Sequence, residues 1–252
     1  MQPWPKTDFH LHATFHRLGT PQAEMTVPNI VQRCEALGYE AIGIVEHLNL
    51  TPKHPLHCLE ELVASCRQTR STIKLYVGAE LDIFRDALPL DEARALKQRL
   101  GLDYYLGSVH DSVTAIADLD AYIAAYHRKL MFIVTEVDLV EAIAHPWTFG
   151  HSLARRGIIP NWRFADIPAD MLAELAHAAA THGKAIEINR NAAADFIDPA
   201  YREFVRLLRD LGVRLAIGSD AHYMKDVGGT TAQEAFLQEM GVPPRQIWFP
   251  GQ

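Results

Sequence analysis

Apolar and polar positions alternate in short runs that end in polar residues, and longer stretches with helical spacing separate those runs. The runs predict strands at 7–13 (TDFHLHA), 41–47 (AIGIVEH), 74–83 (KLYVGAELDI), 104–110 (YYLGSVH), 142–147 (AIAHPW), 184–189 (KAIEIN) and 214–222 (RLAIGSDAH). A last short run, QIWF at 246–249, is expected to close the sheet. Between them the spacing predicts a helix that starts near Pro28 and ends before Gly38, and others over 90–101, 117–130, 168–183, 199–212 and 231–241. The 90–101 helix has an acidic start, a basic end and a terminal glycine, an order that suits the helix dipole. Residues 148–166 show no period and read as a long loop. Seven or eight strand–helix repeats in 252 residues favour a (β/α) barrel. The doubly wound sheet is the alternative, but no glycine-rich phosphate turn follows the first strand.

Composition narrows the class. Lys and Arg number 24 against 31 Asp and Glu, a formal charge of −7, which argues against a general nucleic-acid or anionic-membrane binder. An anionic substrate would then need a local positive charge, and bound cations are one source. Cys34, Cys58 and Cys66 form no CxxC pair, so reduced thiols in a cytoplasmic protein are expected. No apolar run approaches membrane-spanning length, and the first residues, MQPWPKTDFH, carry no apolar signal core.

The chemistry lies at the strand ends. Asp8, His10 and His12 alternate on the first strand, so all three are expected on one face, as a metal clamp or as a polar patch on an edge strand. Of 13 histidines, His10, His12, His47, His110, His145 and His222 fall within or at the end of a predicted strand, as do Glu46, Glu80, Glu187 and Asp220. Taken singly, each reads as a hydrogen-bonded structural residue. Together they converge on the C-terminal face of a barrel, where buried imidazoles and carboxylates need cations to hold them together.

The ordered motifs DFHLH (8–12), EH (46–47), GAE (78–80), GSVH (107–110), AHP (144–146), EIN (187–189) and GSDAH (218–222) resemble the PHP superfamily, named for polymerase and histidinol phosphatase. The resemblance covers residues 8 to about 228, and its specificity lies in the ordered set. It implies one distorted (β/α)7 TIM-like barrel over 1–252, with two or three divalent ions (Zn, Mn or Fe) at the strand C-termini. By that resemblance His10, His12, Glu80 and Asp220 hold one ion, and Glu80 bridges to a second on His110 and His145. His47 and His222 hold a third, with a histidine that family members place shortly after HxH. The candidate for it is His16, at a shorter spacing, and Ala13 stands where the family has Thr. Asp8 and Glu46 are read as residues orienting the imidazoles, and Glu187 as a support or a structural residue.

The expected reaction is in-line attack by a metal-activated hydroxide on a small phosphomonoester, L-histidinol phosphate being one candidate. Asp220, His222 or Glu46 would protonate the leaving alcohol. Arg190, with Arg17 and Lys225 behind it, would clamp the phosphate. A phosphodiesterase or exonuclease of the same superfamily would show a basic or aromatic groove. A metal-dependent amidohydrolase would place a Lys or a Glu at the end of strand four, which reads YYLGSVHD. A non-catalytic barrel would have lost ligands, and the core set is present.

Overall fold

The computed structural model describes residues 4–13, 23–48, 56–84, 89–110 and 113–252. Seven parallel strands follow one another in chain order: β1 (Thr7–His12), β2 (Ala41–Leu48), β3 (Lys74–Asp82), β4 (Tyr104–Ser108), β5 (Ala142–Ile143), β6 (Ala185–Asn189) and β7 (Leu215–Gly218). The helices between and after them are α1 (Val27–Ala36), α2 (Leu56–Gln68), α3 (Leu90–Leu100), α4 (Leu119–Glu136), α5 (Phe149–Arg155), α6 (Ala169–His182), α7 (Pro199–Asp210) and α8 (Thr231–Glu239). The His12 amide donates to the Ala221 carbonyl at 3.0 Å and the Asp220 amide to the His10 carbonyl at 2.8 Å, which brings the exit of β7 onto β1. The result is a nearly closed, distorted (β/α)7 barrel. No helix among the described residues is long and apolar enough to cross a membrane.

Alternation along the strands sorts side chains to two faces. Ile42, Ile44, Ile143, Ile186 and Ile217 pack outward beneath the helices. Phe9, Val45, Tyr76, Tyr104, Leu106 and Trp248 point inward and fill the lower barrel. There the Phe9 ring meets Trp248 edge-on at 5.5 Å and Tyr76 at 5.8 Å. Tyr104 Oη donates to the Phe9 carbonyl at 2.8 Å. Gly43 and Gly78 make room for Tyr104: a Cβ on Gly43 would lie 2.2 Å from its hydroxyl. This floor fills the barrel from below, and the polar strand ends lie above it at the strand C-termini.

Helix ends follow local chemistry. Asp118 accepts from the amides of Asp120 and Ala121 to start α4, and Asp198 accepts from Ala200 to start α7. Gly101 and Gly183 end α3 and α6 at φ 64° and 65°, the left-handed geometry that glycine adopts without strain.

Four expectations need correction. Residues 148–166 hold α5 and a 3₁₀ turn at Phe164–Asp166. Phe149 packs on the rings of Trp147, Tyr126 and Trp162, and Gly150 lies directly against Trp162, so tertiary packing makes a helix that no sequence period announces. Helix α2, which the spacing left unassigned, buries Cys58, Leu59, Leu62, Val63 and Cys66. The QIWF run gives only a bridge from Ile247 to Leu215, after a 3₁₀ turn. Strand β5 stops at Ile143, because His145 and Trp147 take positive φ of 30° and 66°.

Candidate metal centre

The open end of the barrel is built from β1 (His10, His12), β2 (His47), β3 (Glu80) and the exits of β4 (His110), β5 (His145) and β7 (Asp220, His222). Glu80 stands at the centre, its side chain fully buried. Its Oε2 lies 2.9 Å from His47 Nδ1 and 3.5 Å from Nε2 of both His10 and His12. Its Oε1 lies 2.9 Å from His145 Nε2 and 3.4 Å from His110 Nε2. Asp220 Oδ1 approaches His12 Nε2 at 3.3 Å and His10 Nε2 at 3.7 Å. The His12 ring stacks on His47 at 4.4 Å and on His222 at 4.2 Å.

Ligand atoms fall within 4.8 Å of one another in four overlapping groups: His10–His12–Asp220, His10–Glu80–His145, His47–Glu80–His110 and His12–His47–His222. Glu80 belongs to two of them, the position of a bridge. The groups divide the histidines differently from the expected partition, with His145 beside His10 and His110 beside His47. His16 and Arg17 lie outside the described residues.

The donor set suits a divalent cation. Glu187 Oε1 accepts from His10 Nδ1 at 2.9 Å, which fixes the ring proton there and leaves the Nε2 lone pair facing inward. That Nε2 is 3.0 Å from His12 Nε2, and no more than one proton fits between two facing ring nitrogens. Among the described residues, nothing makes a well-directed hydrogen bond to buried Glu80 Oε2 or His12 Nδ1. Nitrogen and carboxylate donors without thiolate match Zn, Mn or Fe. All three cysteines are buried in α1 and α2.

Electrostatics pull the cluster in opposite directions. Burial opposes charge on His10, but Glu187, Glu80 and Asp220 outweigh it and raise its pKa. Burial, with His222 and His47 alongside, drives His12 down. Burial also opposes ionisation of Glu80, and His110, His47 and His10 overcome it to hold the carboxylate ionised. Asp220 is likewise held ionised against burial, chiefly by His10. His110, resisted by burial but facing Glu80 and Asp82, is raised to about 9. Neighbouring imidazoles with such opposed demands are reconciled when their lone pairs share a cation.

Backbone geometry aims the ligands. Glu187 also accepts from the His145 amide and from Asn189 Nδ2. A Cβ on Gly218 would lie 1.8 Å from Glu187 Oε1 and 2.7 Å from His10 Cβ, so only glycine lets that carboxylate cross to β1. His145 (φ 30°) and Asp220 (φ 54°) hold left-handed conformations that cost non-glycine residues energy. His222 Nδ1 donates to the Asp220 carbonyl at 2.9 Å.

The structure revises several individual readings. A bulge in β1 pairs Asp8 with Ile42 but Leu11 with Ile44, so the alternation slips by one between them. Asp8 therefore leaves the face of His10 and His12 and packs outward, near Cys34 and Tyr39. It supports backbone instead of imidazole: Oδ1 accepts from the amides of His10 (3.2 Å) and Ser219 (3.0 Å). Burial raises its pKa to about 7. Glu46 shares the outer face with Ile44, close to Cys58 of α2, which removes it as a proton donor. It accepts from the His47 amide at 3.0 Å. Arg190 pairs with Asp226 at 2.8 Å, and Lys225 lies over the Tyr223 ring.

Two residues were missed. Asp82 is buried on the same face of β3 as Glu80, two residues on, and its position was available from strand parity alone. Asn191 donates through Nδ2 to Asp220 Oδ2 at 3.2 Å, from a 3₁₀ turn that no period signals.

The profile of the PHP domain family matches residues 8–191. A probable phosphatase of Edwardsiella ictaluri is 25% identical over 247 residues, covering 95% of this chain and 88% of that one. A probable phosphatase of Acetivibrio thermocellus is 25% identical over 233 residues, covering 90% and 86%. Among solved structures, the histidinol phosphate phosphatase of Lactococcus lactis, complexed with zinc, L-histidinol and phosphate, has a similar fold. Its TM-score is 0.63 at 18% identity, over 94% of each chain.

Proposed function

The chain belongs to the PHP domain family, and from that premise we propose that it is a metal-dependent phosphatase acting on a small phosphomonoester. The observation that carries this reading is Glu80, whose two buried oxygens face five histidine nitrogens at the mouth of the barrel. His10, His12, His47, Glu80, His110, His145, Asp220 and His222 would hold two or three divalent ions, with His16 completing the third. Such ions, when bound, acidify water and neutralise phosphoryl oxygens, which is how a chain of charge −7 accommodates a phosphate.

The chain's own residues do the rest. Glu187 holds the proton on His10 Nδ1 and keeps Nε2 turned inward. Asn191 ties down one oxygen of Asp220 and leaves Oδ1 toward His10 and His12. Asp220, held ionised, cannot supply a proton, so His222, part-exposed at the mouth, is the group that delivers one to the leaving alcohol. Arg190, at the exit of β6, steadies the phosphate by exchanging its contact with Asp226. L-Histidinol phosphate is the first substrate to try, since the Lactococcus lactis enzyme of similar fold holds L-histidinol and phosphate. The three buried, unpaired thiols support a cytoplasmic location.

The test is metal analysis of the purified protein, with turnover of phosphomonoesters (L-histidinol phosphate included), phosphodiesters and amides. Chelator-sensitive release of phosphate from monoesters is expected. Hydrolysis confined to amides, lactones or phosphodiesters would overturn the reading.

A further inference from the structure

Asp82 is an acid with no role in the site as described so far. It is 1% exposed at the end of β3, and among the described residues Oδ1 accepts only a long contact, 3.4 Å, from the Phe84 amide. Its Oδ2 is buried without a hydrogen bond. A carboxylate oxygen in that state is costly unless a donor or a cation faces it. The group facing it is the His110 ring, with Nδ1 3.5 Å from Oδ2. The opposite ring nitrogen, Nε2, is turned toward Glu80 Oε1 at 3.4 Å.

This repeats, on a second histidine, the arrangement of Glu187 and His10. In each case a buried carboxylate faces Nδ1 and leaves Nε2 toward the centre. The two differ in distance, 2.9 Å for Glu187 and 3.5 Å for Asp82. His110 is also the more exposed ring, at 32% against 1% for His10. A ring on a strand exit, less enclosed by packing, depends more on a polar tether for its orientation. The other group near Nδ1 among the described residues is Ser108 Oγ at 3.4 Å, and its hydroxyl is already donated to the Leu81 carbonyl.

We infer that Asp82 is a positioning residue for the metal centre: it holds the proton on His110 Nδ1 and so presents Nε2 as the ligand beside Glu80. The inference rests on the metal-centre reading above and extends it to a residue outside the ligand set. Asp82 acts through His110 and touches neither the ions nor the substrate.

The test uses zinc-loaded full-length protein, with zinc affinity and stoichiometry measured by competition with a chromophoric chelator. Wild type, Asp82→Ala, Asp82→Asn and Ser108→Ala are compared. Asp82→Ala should weaken one zinc by about 10–100-fold and leave the others as in wild type. Asp82→Asn retains an oxygen that can accept from Nδ1 and should recover most of that loss, while Ser108→Ala should match wild type. Unchanged affinity in Asp82→Ala would overturn the inference, as would a loss confined to Ser108→Ala or an equal loss of every zinc in both Asp82 variants. Long-range proton–nitrogen NMR of zinc-loaded wild type reads the His110 tautomer without any variant, so the inference stays testable if Asp82→Ala does not fold. A protonated Nδ1 supports the inference, and a protonated Nε2 refutes it. Wild type that binds no zinc would instead sink the metal-centre reading itself.

Discussion

The floor and the mouth of the barrel are buried to a similar degree and built in opposite ways. On the floor, Phe9, Tyr104 and Trp248 satisfy one another, by edge-to-face rings and by the hydrogen bond from Tyr104 to Phe9. At the mouth, His10, His12 and Glu80 are as deeply enclosed, but among the described residues nothing makes a well-directed hydrogen bond to Glu80 Oε2 or His12 Nδ1. Burial on the floor contributes to stability directly. At the mouth it produces a set of donors that protein alone cannot satisfy. Stability and chemistry are thus stacked along one barrel axis, and substitutions at the two ends should separate them.

The sharpest contrast is Glu80→Ala, which should abolish turnover because both of its oxygens serve the histidine cluster. Full metal content and turnover in Glu80→Ala would rule out the bridging role. Trp248→Ala should do the reverse. Loss of a fully buried ring costs about 3–5 kcal/mol of unfolding free energy, while the specific activity of the folded fraction stays close to wild type. Denaturant titration paired with activity checks both halves, and a large loss of activity per folded molecule would mean that floor and mouth are coupled.

Glu187→Gln probes the boundary between the two ends. Each of the three groups that meet this carboxylate (His10 Nδ1, the His145 amide and Asn189 Nδ2) is a donor, so an amide nitrogen there must oppose one of them. Metal affinity should fall about 10–100-fold, and an unchanged chelator titration would remove Glu187 from the site.

The smallest effect concerns Asp8. Its folded pKa of about 7 lies above the ordinary aspartate value of 3.8, so the folded state holds the proton more tightly. The resulting stability is fully present below pH 3.8 and is lost as pH rises toward 7. Asp8→Asn should abolish that slope between pH 4 and 7 in chelator-treated protein. Parallel stability–pH curves for the two proteins would contradict it.

Much of this contrast was legible in the sequence, for a definable reason. A strand has period two, so acids and imidazoles placed at strand ends announce a common face without knowledge of their neighbours. His47 and Glu80 lie on unbulged β2 and β3, in register with each other, where that parity holds. It fails in β1, because a bulge is a property of two paired strands, and Asp8 was misplaced for that reason. Asp82 obeys the same parity beside Glu80. Asn191 and helix α5 depend on contacts made across the fold, to Asp220 and to Trp162, and no local period encodes those. Two histidines off the strand ends have ordinary roles: His127 pairs with Glu174 and His151 with Asp195.

The central claim is that the buried imidazoles and carboxylates of the mouth are ligands to a shared, bridged cluster of ions. X-ray absorption spectroscopy at the edge of the bound metal in the purified protein tests it most directly. The account predicts nitrogen and oxygen neighbours only, together with a metal–metal distance of about 3.5–4 Å that disappears in Glu80→Ala. A sulfur neighbour, or an isolated ion with no metal–metal scattering in wild type, would contradict it.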